Sequence, residues 1–200
     1  MSLSFVQNSK AQSFINSDNG TTTICEGEST AIQVIIDGGF SPYTVVYSDG
    51  TSNFTINNYS SDSDPESPTY GGDPISVSPI ITTTYSLVSV SFEFGPLPID
   101  EVSTVTITVN PLPTNITPTI NSGNPVCFNT PFEISATATN GNTFELWNEA
   151  NTVNIGALPF DISITENTNY TIRAISSFDC ISSEPLLVTL ENIPPTISGE

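Results

Sequence analysis

Two hundred residues with 21 Asp and Glu against one Lys (Lys10) and one Arg (Arg173), and no His, carry a net charge of −19. That balance excludes nucleic acid as a partner, because phosphate binding needs Lys and Arg, and it disfavours anionic membranes and acidic polysaccharides. The lack of His removes Ser-His-Asp, Cys-His and His-metal catalysis. A hydrophobic content of 36% is too high for disorder, and no apolar run is long enough to span a membrane.

The first 19 residues hold little pattern. Met1-Ser2-Leu3 has neither the basic start nor the apolar stretch of a signal peptide. Residues 1–19 are read as an N-terminal extension, with Phe14-Ile15 as the material of an edge strand. A first module is expected over residues 20–109. Thr22 to Cys25 is a short strand. Ala31 to Ile36 follows, with Ile32, Val34 and Ile36 on one face. Tyr43, Val45 and Tyr47 alternate in the next strand, and Ser48-Asp49-Gly50 closes a hairpin onto Phe54 and Ile56. Residues 60–74 are polar and broken by Pro and Gly, which marks an insertion. Ile75 and Val77, then Thr84 to Val90, resume strand patterns. From Val102 to Val109 three Thr face out while Val105, Ile107 and Val109 face in, as in a half-buried antiparallel strand.

Asn110-Pro111-Leu112-Pro113-Thr114 then breaks the pattern. Proline fixes φ and donates no hydrogen bond, so residues 110–114 are read as a stiff linker that limits bending. A similar stretch, Asn192-Ile193-Pro194-Pro195-Thr196, lies 82 residues on, and residues 192–200 are expected to begin the next linker of a longer protein. Between the two, residues 115–191 form a second module. Pro125 to Phe128 repeats the opening Cys segment, and Ile134, Ala136 and Ala138 alternate. Asn140-Gly141 turns the chain into Phe144 to Trp147. Phe160 to Ile164, Tyr170 to Ala174 and Leu186 to Leu190 complete it. Short alternating strands with turns about every ten residues predict an all-β fold: two tandem immunoglobulin-like antiparallel sandwiches. Tyr85 and Tyr170 follow equivalent Thr/Asn-rich turns. Each is either a tyrosine-corner residue joining sheets or a core Tyr with a satisfied hydroxyl.

Ile24-Cys25-Glu26-Gly27-Glu28, Gly38-Gly39-Phe40-Ser41-Pro42-Tyr43, Thr82-Thr83-Thr84-Tyr85 and the Pro linker, in that order, resemble the immunoglobulin-like repeats of large secreted surface proteins of Bacteroidetes. Those include gliding-motility adhesins and proteins exported by the type IX route. The resemblance covers residues from about 20 to 196 and implies a spacer or adhesive unit with no catalytic role. It also implies a Cys before the last strand, which Cys180 supplies, and hence a Cys127–Cys180 disulfide. Cys25 is then a buried free thiol or an intermolecular partner.

Two site readings remain. Asp62, Asp64 and Glu66 alternate in the insertion with Asp73 close by, a set that either holds calcium or is a solvated loop; Asp100 and Glu101 near the linker are a second carboxylate pair. Trp147 faces out if alternation is strict, free to stack on a sugar ring, whereas a β-bulge would turn it inward. Tyr59 and Tyr70 flank the insertion. Carboxylate-pair chemistry of the glycosidase kind stays formally open, but the carboxylates fall mostly in loops and the chain is read as no enzyme. The expectation is a monomeric, extracellular structural or adhesive segment whose partners are neighbouring repeats and a surface polysaccharide or other extracellular ligand, with calcium as the one candidate cofactor. The alternative is a carbohydrate-binding accessory module of a polysaccharide-degrading protein.

Overall fold

A computed structural model describes residues 12–18, 20–62, 64, 71–100 and 103–191. The chain divides into two compact units, Met1–Asn110 and Pro111–Glu200. Among the described residues every regular element is a strand.

Unit 1 contains β1 (Phe14–Ser17), β2 (Thr23–Cys25), β3 (Thr30–Ile35), β4 (Tyr43–Ser48), β5 (Asn53–Tyr59), β6 (Ser61–Asp62), β7 (Gly71–Gly72), β8 (Ile75–Val77), β9 (Thr83–Phe92), β10 (Gly95–Leu97) and β11 (Thr104–Asn110). They make a three-stranded sheet, β1-β3-β8, and a larger one, β2-β11-β9-β4-β5, with β10 hydrogen-bonded to β9. The apolar faces of the two sheets enclose a core that includes Ile32, Val34, Val45, Val90 and Ile107. β11 shows why alternation specifies burial. Val105 and Ile107 are buried, while Thr104, Thr106 and Thr108 are exposed, and the Thr106 and Thr84 hydroxyls pair across the outer face (2.8 Å). β2 runs parallel to β11, so Ile24 sits opposite Val109 and Cys25 opposite Asn110.

β3 departs from simple alternation. Gln33 and Ile35 are buried along with Ile32 and Val34. For Gln33 the cause is the insertion. β6 and β7 pair with each other (Ser61 with Gly72, Asp62 with Gly71), and the Gln33 Oε1 accepts the Gly72 N–H at 2.9 Å. β8 ends opposite Ile32, so it leaves later N–H groups of β3 without a strand partner. Side-chain hydroxyls take that place. Val34 N–H donates to the Tyr59 hydroxyl (2.7 Å), which donates back to the Val34 carbonyl (3.2 Å), and Ile36 N–H donates to Ser61 Oγ (2.9 Å). Tyr59 belongs to β5 and Val34 to β3, so this phenol ties the two sheets together.

Unit 2 contains β12 (Thr114–Ile120), β13 (Phe132–Thr139), β14 (Thr143–Asn148), β15 (Asn154–Ala157), β16 (Phe160–Ile162), β17 (Thr168–Ile175) and β18 (Ile181–Val188). Its sheets are β12-β13-β16 and β15-β14-β17-β18, around a core that includes Ile134, Leu146, Ile172 and Val188. Val126 forms a parallel bridge to Leu190, the counterpart of Ile24 beside Val109 in unit 1. β11 ends at Asn110 and β12 starts at Thr114, so Pro111, Leu112 and Pro113 make up the connection. The second Pro-bearing stretch, residues 192–196, lies outside the described residues.

Candidate functional site

A hollow of unit 1 lies at the end of the larger sheet where β4 turns into β5. It measures about 450 Å³. The β4–β5 turn contributes Asp49 and Thr51, the strands contribute Tyr47, Phe54 and Tyr85, and the β8–β9 loop contributes Pro79, Ile80 and Ile81. The turn is rigid because the Asp49 carboxylate accepts the Thr51 N–H (2.8 Å), the Thr51 hydroxyl (2.8 Å) and the Ser52 N–H (2.7 Å), all on Oδ1. Those bonds, led by the one from Ser52, hold its carboxyl below the ordinary range, so it is charged at neutral pH. The Tyr47 ring stacks on Phe54 at 5.1 Å and meets the Tyr85 ring at 6.2 Å.

Tyr47 is 7% exposed and Tyr85 6%, and what stays open includes the hydroxyls, which make no hydrogen bond among the described residues and face solvent. Burial raises both phenol pKa values, with Asp49 adding to the rise for Tyr47, and Tyr47 and Asp49 adding to it for Tyr85. Tyr85 is therefore a wall of this hollow and makes no tyrosine-corner bond. In unit 2, the Tyr170 phenol is raised by burial, with the Thr168 side chain bonded to it as the smaller, opposing influence. Tyr59, expected as a loop residue flanking the insertion, is instead the buried sheet-to-sheet pin, and burial pushes its phenol up to about 12.

The insertion partly gathers the expected calcium set. Asp62 and Asp73 border a second hollow of about 380 Å³ together with Asp18 and Gln33. Their carboxylates serve the backbone: Asp73 Oδ2 accepts Ser60 N–H (2.9 Å) and Asp62 Oδ1 accepts Asp64 N–H (3.0 Å). Glu66, Tyr70 and Glu101 lie outside the described residues. Among the described residues no group of three Asp, Glu, Cys or His side chains is placed to hold a metal ion. Asp100 is engaged through its backbone, which joins Ser13 and Ser103.

Trp147 is half-buried on β14, where the pairing with β15 shifts register between Leu146 and Trp147. The Arg173 guanidinium lies over its ring at 3.6 Å, and its indole N–H donates to Glu145 Oε2 (2.8 Å). Arg173 is itself fixed by Asn151, whose Oδ1 accepts from Nε at 2.7 Å. One face of the indole is thus occupied by the only described cation.

The cysteines correct the expected pairing. Cys25 and Cys180 are each disulfide-bonded and Cys127 is an exposed free thiol, so the expected Cys127–Cys180 bridge is not formed. The reason is register within unit 2. Cys180 precedes β18 at its Ile175–Ile181 end, whereas Cys127 follows the Val126 bridge to Leu190, beyond the other end. β18 spans roughly 23 Å at ~3.3 Å per residue, and a disulfide needs Cα atoms within about 7 Å. Cys25, expected as a lone buried thiol, is half-buried and bonded.

No protein-family profile and no curated protein matches the chain. Solved structures do. The chain is similar to the fibronectin(III)-like modules of CbhA from Clostridium thermocellum, at 10% identity and a TM-score of 0.41, over 89% of this chain and 94% of that one. It is similar to a Ca2+-stabilized adhesin with which an Antarctic bacterium binds ice, at 13% identity and a TM-score of 0.46, over 90% of this chain and 48% of that one. A 1.5-MDa bacterial ice-binding adhesin is similar at 11% identity and a TM-score of 0.41, over 90% of this chain and 63% of that one. The chain's own described strands make an all-β fold with sandwich-like sheets.

The sequence contained the parts of the first hollow without revealing their meeting. Tyr47 and Asp49 were legible as a strand end and its turn. Pro79-Ile80-Ile81 lies some thirty residues on and carries no strand pattern, so only the fold places it against Phe54.

Proposed function

We propose that this chain is a non-catalytic, load-bearing and adhesive segment of a large secreted bacterial surface protein, built of two immunoglobulin-like modules joined by the Pro111–Pro113 connection. The observation that carries this reading is the repeated closure of the units. In each, a Cys-bearing segment lies parallel to the end of the final strand region, Ile24 beside Val109 and Val126 beside Leu190. In each unit backbone hydrogen bonds join this early segment side by side with the last strand region, an arrangement that resists extension by shear.

The disulfide suits an oxidising, extracellular setting, and the charge of −19 keeps neighbouring copies apart in solution. Force spectroscopy on the chain held by its two ends under reducing conditions tests the load-bearing part. Two separate unfolding peaks are expected, each releasing roughly 30–40 nm at ~3.6 Å per residue. Featureless extension would sink it.

A further inference from the structure

We propose that the cleft bounded by Tyr47, Phe54, Ile80 and Tyr85 binds a neutral saccharide unit, with Asp49 and the two phenols as its hydrogen-bonding partners. The inference deepens the adhesive part of the proposed function and rests on it, while the load-bearing part stands apart from it. Its volume of about 450 Å³ falls within the ~300–1,000 Å³ of small-molecule sites. The lining mixes apolar side chains with polar ones such as Asp49, Thr51 and Ser78, and the apolar part is presented to solvent at the rim, with Ile80 76% and Ile81 70% exposed and Phe54 also exposed.

The ligand class follows from the polar groups. The rings of Tyr47 and Tyr85 are buried while their hydroxyls, which make no hydrogen bond among the described residues, reach the solvent of the cleft, and each can donate. Asp49 has Oδ1 filled by three internal bonds, and those bonds name no role for Oδ2, which is an acceptor only. A ligand that completes this set needs acceptors for the phenols and a donor for the carboxylate. Hydroxyl groups provide both on one molecule.

An ammonium offers donors alone and leaves the phenol protons unmatched. An anion offers acceptors alone and meets a charged carboxylate with no cation to offset it. Arg173, the only cation among the described residues, belongs to unit 2 and is held by Trp147 and Asn151. The apolar C–H face of a sugar ring suits the Phe54 and Ile80 walls, as an aliphatic or aromatic surface does for any amphipathic ring.

Ligand-observed saturation-transfer NMR on the full chain tests this, with millimolar cellobiose, maltose, lactose, xylobiose and chitobiose as neutral probes and choline and trilysine as cationic ones. Transfer to at least one disaccharide is expected. The Tyr47→Phe/Tyr85→Phe pair keeps both rings and is expected to weaken binding by about tenfold or more, two hydrogen bonds being lost. Ile80→Ser/Ile81→Ser alters only exposed side chains and is expected to weaken it without moving the melting temperature. Trp147→Phe should leave it unchanged. The proposal is overturned if no disaccharide responds, if only the cationic probes respond, or if binding survives both pairs of substitutions. A blank panel leaves the force peaks of the load-bearing test standing, and missing force peaks leave the cleft untouched.

Discussion

Replacing Tyr59 by Phe removes one oxygen from the interior of unit 1 and keeps the ring. The Tyr59 hydroxyl accepts from Val34 N–H at 2.7 Å and donates to the Val34 carbonyl at 3.2 Å, and Val34 is 0% exposed. Without that hydroxyl both backbone groups lose their partner in a place water does not reach. A buried group left unpaired costs about 1–3 kcal/mol, and the 3.2 Å bond to the carbonyl is the weaker of the two, so an expected loss of about 2–4 kcal/mol follows. For a domain near 100 residues that lowers the melting temperature by on the order of 10–20 °C. Tyr43→Phe is the matched control. Its hydroxyl donates to the Gly38 carbonyl at 3.1 Å in a half-buried loop, and about 0.5–1.5 kcal/mol is expected. Calorimetry with two optical signals separates the units, because Trp147, in unit 2, is the only Trp of the chain. Tyrosine near-ultraviolet dichroism should lose stability while the Trp147 fluorescence transition holds. A Tyr59→Phe protein within about 0.5 kcal/mol of the parent would refute the account of the pin. An equal shift of the Trp147 signal would refute the separate folding of the units.

Other consequences follow from the same geometry. Tyr59 has a folded-state pKa of about 12 against an ordinary 10.0, so its stabilisation is fully present below pH 10 and is lost as pH rises through 12; tyrosinate absorbance should therefore rise together with cooperative loss of the tyrosine dichroism in that window. Gly72→Ala drives a Cβ into the Tyr59 hydroxyl and the Val34 carbonyl, and denaturant titration should show about 1–3 kcal/mol of destabilisation. Arg173→Gln uncovers one face of Trp147, so iodide quenching of its fluorescence should increase, with a stability loss of about 0.5–1 kcal/mol. The native chain should take one equivalent of maleimide at Cys127, and peptide mapping should find Cys25 and Cys180 labelled only after reduction.

The strands with strict alternation were legible in the sequence, because a period of two leaves one face to the core and one to water. β4 and β11 are the clear cases. β12 was not legible. Pro118 lies inside it and its inward residues are only Ile116, Pro118 and Ile120, so the start of the second module showed no strand pattern. β15, with Gly156 packed against the Phe160 ring, lacked a pattern for the same reason: the glycine is there for close approach and contributes no apolar side chain. The disulfide failed for another reason. Residue spacing says how long a loop is and nothing about which end of a strand a cysteine occupies. Strand register does, and it places Cys127 and Cys180 at opposite ends of β18. The hollow beside Asp49 depends on a loop that joins two sheets, and such meetings have no periodic signature.

The insertion at 60–74 shows how an irregular segment becomes part of a core. A strand such as β3 cannot leave buried N–H groups unpaired, and β8 stops at Ile75 opposite Ile32. Extending β8 would have met the need with backbone alone. Here Tyr59 and Ser61, on either side of the start of the insertion, reach the same edge with hydroxyls, and Gln33 reaches back to Gly72 near its end. Every pin therefore sits at a boundary of the insertion, next to the two-residue ladder of β6 and β7. Lengthening the segment between Asp62 and Gly71 adds closure entropy only as the logarithm of its length, about 0.6 kcal/mol per doubling. The fold tolerates 17 more residues between Cys25 and Tyr85 than between Cys127 and Tyr170 because its hydrogen bonds are anchored outside the part that varies.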